Sequence, residues 1–166
     1  MEELELQPSA PVLLTPEGHE KIKAELHRLT TEKRKEIADR IRDSKDHGEF
    51  SEDNNELDEV KMEQAMIESR IADLKNILSG ATILTEEDIP TDEVGIGSIV
   101  TVQNKDMDLE FDVRIVASIE ANPDEDLISE ESPFGDALYG LKVGEVAEVE
   151  APDGVIPYTI KKIRAK

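Results

Sequence analysis

Apolar residues recur along the first half of the chain at helical intervals. Ile22, Leu26, Leu29, Ile37 and Ile41 succeed one another at spacings of 4, 3, 8 and 4. They form one stripe on a helix of about 30 residues, roughly 45 Å long. Thr15 is placed to cap its start. Pro16 suits the first helical position, where a missing N–H costs nothing. Gly48 stops the helix, as glycine does where the chain turns left-handed past a helix end. A second run, Leu57, Val60, Gln64, Ile67, Ile71, Leu74 and Leu78, alternates spacings of 3 and 4, the heptad pattern of a coiled coil. Ser51 or Asp53 can cap this second helix, and Asp53 with Glu56 has capping-box spacing. Gly80 ends it. Met62 and Met66 are expected to pack beside the seam. Two long helices joined by a few residues must run antiparallel, so the pattern predicts a helical hairpin.

After Gly80 the period changes. "ATIL" and an acidic, proline-containing linker around 85–95 lead to "SIVTV" and then "EFDVRIVA". In the latter Phe111, Val113 and Ile115 alternate with polar neighbours, the mark of a half-buried strand. "EVAEVEAP" and "PYTIKKI" are further strand candidates. Between them "SPFGDALYG" offers Ser132 as cap, Pro133 in the first turn and Gly140 as stop, hence one short helix. The fold class is α+β. A lead-in over 1–12, expected to be flexible, precedes a coiled-coil hairpin over 13–84 and a small β domain with one short helix over 85–166.

Composition narrows the function. Formal net charge is −21, and an acidic surface argues against ordinary duplex binding, which needs basic neutralisation of phosphates. Aromatic content of 3% argues against base-stacking platforms and aromatic-lined pockets. With no cysteine there is no disulfide, thiolate metal site or cysteine nucleophile, which fits a reducing compartment. No apolar run approaches the ~20 residues of a membrane helix, and the acidic N-terminus lacks the basic region of a signal peptide. A soluble, cytoplasmic protein with no membrane partner is expected.

Charge is not evenly spread. Residues 28–45 hold seven basic groups against four acids, whereas Asp46–Val60 holds seven carboxylates and no Lys or Arg. Acids in the first turn of a helix are favoured by its dipole, by about 0.3–1 kcal/mol each when exposed, which alone could account for Glu52, Asp53 and Glu56. Yet the cluster falls at the hairpin tip, where it adds nothing to a core, and it encloses Phe50. A basic shaft with an acidic point suits a target that has both phosphates and a metal ion. Carboxylates are natural ligands of Mg²⁺, which usually takes one or two and keeps waters. His19, His27 and His47 are too scattered for a metal site.

Four stretches, in order, resemble the Gre transcript cleavage factors of bacterial RNA polymerase. "LLTPEGHEKIKAELHRL" is similar to the start of the family's first coiled-coil helix, and "HGEFSE" to its tip. "RIADLKNILSGATIL" is similar to the end of the second helix and the exit strand. "LISEESPFGDALYGLKVGE" resembles the most recognisable run of the C-terminal domain, which has a prolyl-isomerase-like (FKBP-like) antiparallel fold without that activity. The resemblance covers about 13–165. It implies an accessory factor, not an enzyme, and a monomer. The C-terminal domain would dock on the polymerase, with Ser132, Pro133 and Gly135 in the docking segment. The hairpin would enter the secondary channel. Glu49 and Glu52 would help hold Mg²⁺ shared with the polymerase active centre, the catalytic and metal role, with no ion expected on the isolated protein. Arg34, Arg40 and Lys45 would contact the 3′ end of the nascent RNA, which the polymerase then cleaves to rescue arrested complexes.

Two departures from the family pattern stand out. Glu49 occupies the usual Asp position. After Glu52, "DNNEL" is one residue longer than the family's usual run, with Leu57 in place of its aromatic. Two alternatives stay open. One is a channel-binding inhibitor that uses the same docking. The other is an acidic helical-hairpin scaffold or chaperone with no metal role.

Overall fold

The computed structural model describes residues 12–48 and 55–166, the side chains of 46–48 excepted. Most of the lead-in lies outside the described residues. So do Phe50, the candidate caps Ser51 and Asp53, and both tip carboxylates, Glu49 and Glu52. The chain divides into two compact units. Residues 19–80 form one, and residues 12–18 with 81–166 form the other.

The helices are α1 (Pro16–Arg28), α2 (Arg34–Gly48) and α3 (Asn55–Gly80), with a π-helical turn, Leu29–Lys33, between α1 and α2. In the helical unit, Ile22, Leu29 and Ile37 are buried from one arm of the hairpin and Val60, Ile71 and Leu74 from the other. Leu26, Ile41, Leu57, Ile67 and Leu78 are half-buried beside them. Met62 and Met66 do not pack beside this seam: they are 68% and 71% exposed. Helix geometry explains the correction, because Met62 lies two residues past Val60 and so about 200° round the axis.

The π-turn interrupts what the apolar stripe suggests is one uninterrupted helix. The stripe itself supplies the reason. Eight residues separate Leu29 from Ile37, and at about 100° per residue they overshoot two α-helical turns by roughly 80°. A wider turn with bonds to the fifth residue back takes up the surplus. The Arg34 N–H accordingly donates to the Leu29 carbonyl. Thr30 and Thr31 donate their hydroxyls to the carbonyls of Leu26 and His27, at 2.8 and 2.7 Å. Deleting Thr31 is therefore expected to convert the π-turn to regular helix with little loss of stability. Deleting Ala38, where there is no surplus residue, rotates the remainder of the arm by about 100° and should cost at least about 2 kcal/mol through lost core contacts. Equal losses in thermal melts of the two variants would refute this account.

The second unit contains a short parallel pair, β1 (Leu13–Leu14) with β2 (Thr82–Ile83), and a five-stranded sheet. The sheet's strands are β3 (Ile99–Asn104), β4 (Leu109–Val116), β5 (Leu127–Ser129), β6 (Val146–Ala151) and β7 (Gly154–Arg164), in the order β5-β4-β3-β7-β6. Neighbours are antiparallel except β5, which joins β4 in parallel, so the sheet is mixed rather than wholly antiparallel. Val100, Val102, Val113, Ile115 and Ile160 supply the sheet's share of an aliphatic core. Leu138 of the short helix α4 (Pro133–Leu138) closes over it. Phe111, Phe134 and Tyr158 meet at its side with ring centroids 5.0–6.3 Å apart. The alternation of Phe111, Val113 and Ile115 holds, with all three turned toward the core.

Thr15 caps α1, and its hydroxyl accepts from the Gly18 N–H at 3.0 Å. The cap is itself held from far along the chain. Glu120 accepts from the Thr15 hydroxyl at 2.6 Å and from the Thr15 N–H at 2.9 Å. A β-carbon on Gly18 would strike this carboxylate.

Candidate nucleic-acid and metal site on the helical hairpin

Antiparallel pairing places acids of α3 opposite bases of the first helical arm. Arg34 meets Glu68 as a two-pronged fork, its Nε and Nη2 both donating at 2.8 Å. Arg40 donates through Nη1 to Glu63 at 2.7 Å, and the Lys33 ammonium stands 3.8 Å from the same carboxylate. A further fork runs the opposite way, from Arg70 of α3 to Glu25, at 2.8 and 3.1 Å.

These pairs are charge-assisted and solvent-exposed. The hydrogen bond from Arg34 holds the Glu68 carboxyl below the usual carboxylate range and raises the guanidinium in turn. The bond from Arg70 does the same for Glu25, against an opposing push from partial burial. Exposed pairs of this kind add little to the stability of a fold, because water and salt screen them. They leave the cations exchangeable.

Of the three residues expected to contact RNA, Arg34 and Arg40 thus lie on the shaft engaged by carboxylates, and Lys45 is exposed on α2. The sequence reading missed Glu63 and Glu68 as their partners. The signal was present: once two helices are antiparallel with known seams, the residues flanking one seam face those flanking the other.

Gly48 and Asn55 are the adjoining ends of α2 and α3, so Glu49 and Glu52 belong to the segment that joins the two arms. Among the described residues no group of three or more His, Cys, Asp or Glu side chains could hold a metal ion. The donor chemistry of the tip fits Mg²⁺: carboxylate oxygens are its preferred ligands, and two of them leave most of its roughly six positions to other donors.

The expected docking residues sit at the start of α4. Ser132 caps the helix, accepting from the Gly135 N–H at 3.1 Å and donating to the Ser129 carbonyl at 2.7 Å. Pro133 takes the first helical position. Gly135 lies so close to the Ser129 backbone that a β-carbon would fall on its carbonyl oxygen. Gly140 ends the segment with φ +80° and donates its N–H to the Val94 carbonyl.

Among the described residues no helix is long and apolar enough to cross a membrane. The chain thus combines a charged helical hairpin with a small α+β unit built on a mixed sheet. The family model described as "Transcription elongation factor, N-terminal" matches residues 12–83, and that described as "Transcription elongation factor, GreA/GreB, C-term" matches 89–165. Transcription elongation factor GreA of Acetivibrio thermocellus is 50% identical over 92% of this chain and 96% of its own. Its namesake from Alkaliphilus oremlandii is 51% identical over 92% and 95%. Among solved structures, GreA factor homolog 1 (Gfh1) of Thermus thermophilus is 32% identical, with coverage of 93% and 99% and a TM-score of 0.44. The chain belongs to the GreA/GreB family of transcription elongation factors.

Proposed function

We propose that this chain enters the secondary channel of bacterial RNA polymerase and stimulates the polymerase's own cleavage of backtracked RNA. It does so as an accessory factor, a cytoplasmic monomer. The observation that carries the reading is the hairpin. It joins the acid-rich segment to a long arm bearing arginines, in a chain of the GreA/GreB family. The α4 segment around Ser132, Pro133 and Gly135 supplies part of the docking surface. Arg34, Arg40 and Lys45 take the phosphates of the extruded RNA 3′ end. Glu49 and Glu52 offer carboxylate oxygens to a Mg²⁺ shared with the polymerase and orient water beside it. When bound, that ion stabilises charge on an attacking or leaving oxygen. Two carboxylates without further ligands retain it only weakly, so the isolated protein is not expected to hold it.

One observation favours a second reading. Glu49 and the longer run after Glu52 depart from the family's usual tip, and an added residue shifts the next helix by about 100° unless the turn absorbs it. A reshaped tip suits a channel-binding inhibitor. Incubating stalled, backtracked complexes with the protein separates the readings. Shortened RNA 3′ ends are expected, with none when polymerase is omitted. Cleavage without polymerase would overturn the accessory role, and suppressed cleavage would select the inhibitor.

A further inference from the structure

We propose that Glu63 and Glu68 are specificity-determining carboxylates that gate the shaft: they occupy Arg40 and Arg34, so single-stranded RNA binds there only by displacing them. The inference rests on the proposed function for its RNA ligand and goes beyond it in assigning a role to α3. It starts from geometry. The Arg34 fork presents Nε and Nη2 to the two oxygens of Glu68, the same two-pronged arrangement a phosphate would use. Glu63 draws both Arg40 and Lys33, which lie seven residues apart and so share one face of the arm. A phosphate and a carboxylate therefore compete for the same donors.

Exposure makes the competition reversible. Arg34 and Glu68 are 43% and 47% exposed, and Arg40 and Glu63 are 44% and 35%. None is locked in place by burial, and water reaches both partners. An isolated phosphate gains little by replacing a carboxylate of equal reach. A strand held along the arm, with several phosphates at high local concentration, displaces the carboxylates together. The gate therefore selects against free RNA and in favour of RNA delivered along the shaft. With the carboxylates gone, the same arm would bind any single strand.

The test uses the full-length chain and a fluorescein-labelled single-stranded RNA of mixed sequence, followed by anisotropy without polymerase. The double variant Glu63→Gln/Glu68→Gln keeps the side-chain shape and removes two charges. It is expected to bind about fivefold or more tightly at 0.1 M salt, with a salt slope steeper by about 0.7 for each arginine released. Adding Arg34→Gln and Arg40→Gln should abolish the gain. Glu86→Gln/Glu87→Gln makes the same charge change in the other unit and should produce none of it. Circular dichroism melts confirm that each variant is folded, and Glu68→Gln alone serves if the double variant is not. No tightening would overturn the gate, as would equal tightening in the Glu86/Glu87 variant or a gain that survives loss of both arginines. Cleavage assays with polymerase are read separately. Tighter, arginine-dependent binding with unchanged cleavage supports the gate and counts against RNA contact by the shaft during rescue.

Discussion

Replacing Glu49 or Glu52 by alanine is expected to abolish stimulated cleavage, a loss of roughly 10²-fold or more if each carboxylate acts on charge that develops at the reacting centre. Affinity for polymerase should hardly change. The reason is physical separation of roles. Both residues belong to the segment between Gly48 and Asn55, and the arms are held together by Ile22, Leu29, Ile37, Val60, Ile71 and Leu74. The docking residues assigned to the other unit, around α4, are untouched. Cleavage rates at saturating factor over a range of Mg²⁺ concentrations are the measurement, with binding competition as control. A weakened carboxylate set should respond to added Mg²⁺, whereas a lost docking contact should not. Should both variants cleave like the parent chain, the acidic tip is a solvated helix start and nothing more.

Gly135→Ala is expected to be the most damaging single methyl in the sheet unit, at about 3 kcal/mol. The added carbon would meet the Ser129 carbonyl, and backbone cannot swing aside as the end of a side chain can. That carbonyl already accepts from Ser132, so the displacement would also disturb the helix cap. Gly18→Ala should cost less, because the carboxylate of Glu120 that it meets is the far end of a flexible side chain. Gly80→Ala meets nothing within 4 Å and serves as the control. Urea unfolding of the three variants orders them. A Gly135→Ala chain as stable as Gly80→Ala would mean that the close approach carries no strain.

Much of the fold is legible in the sequence because it rests on periodicity. The stripes through Ile22, Leu29, Ile37 and through Val60, Ile71, Leu74 name the hairpin's buried apolar residues, whereas Gln64 of the heptad run is exposed and the buried Ser44 is named by neither stripe. Phe111, Val113 and Ile115 alternate as the sheet requires. Ser132, Pro133 and Gly140 mark the short helix by local chemistry alone. The illegible part depends on distant partners. Nothing in "LL" at 13–14 announces that it will pair with Thr82 and Ile83, and three residues at 127–129 are too few to show a period. The π-turn is half legible: the spacing of 8 is visible, but a stripe alone does not say whether the helix widens or breaks to absorb it. Met62 and Met66 mislead because apolar character suggests burial, while their angular position points away from the seam. At the candidate site, the arginines stand out in sequence and their carboxylate partners do not, since a pair across two arms needs a register. Glu49 and Glu52 rest on sequence and family membership.

The way Thr15 is capped has a consequence for the order in which the chain assembles. The donors are at residue 15 and the acceptor at residue 120, a separation of 105, and β1 likewise waits for β2. During synthesis the seam of the two arms contains every residue it needs once Gly80 has emerged. The first strand must wait for Thr82 and Ile83, and the carboxylate that holds the helix cap is absent until Glu120 is made. Contacts of such long range close slowly, because their ordering entropy falls due before any contact repays it. The hairpin is thus an insertion that can mature early within a unit whose two ends meet late.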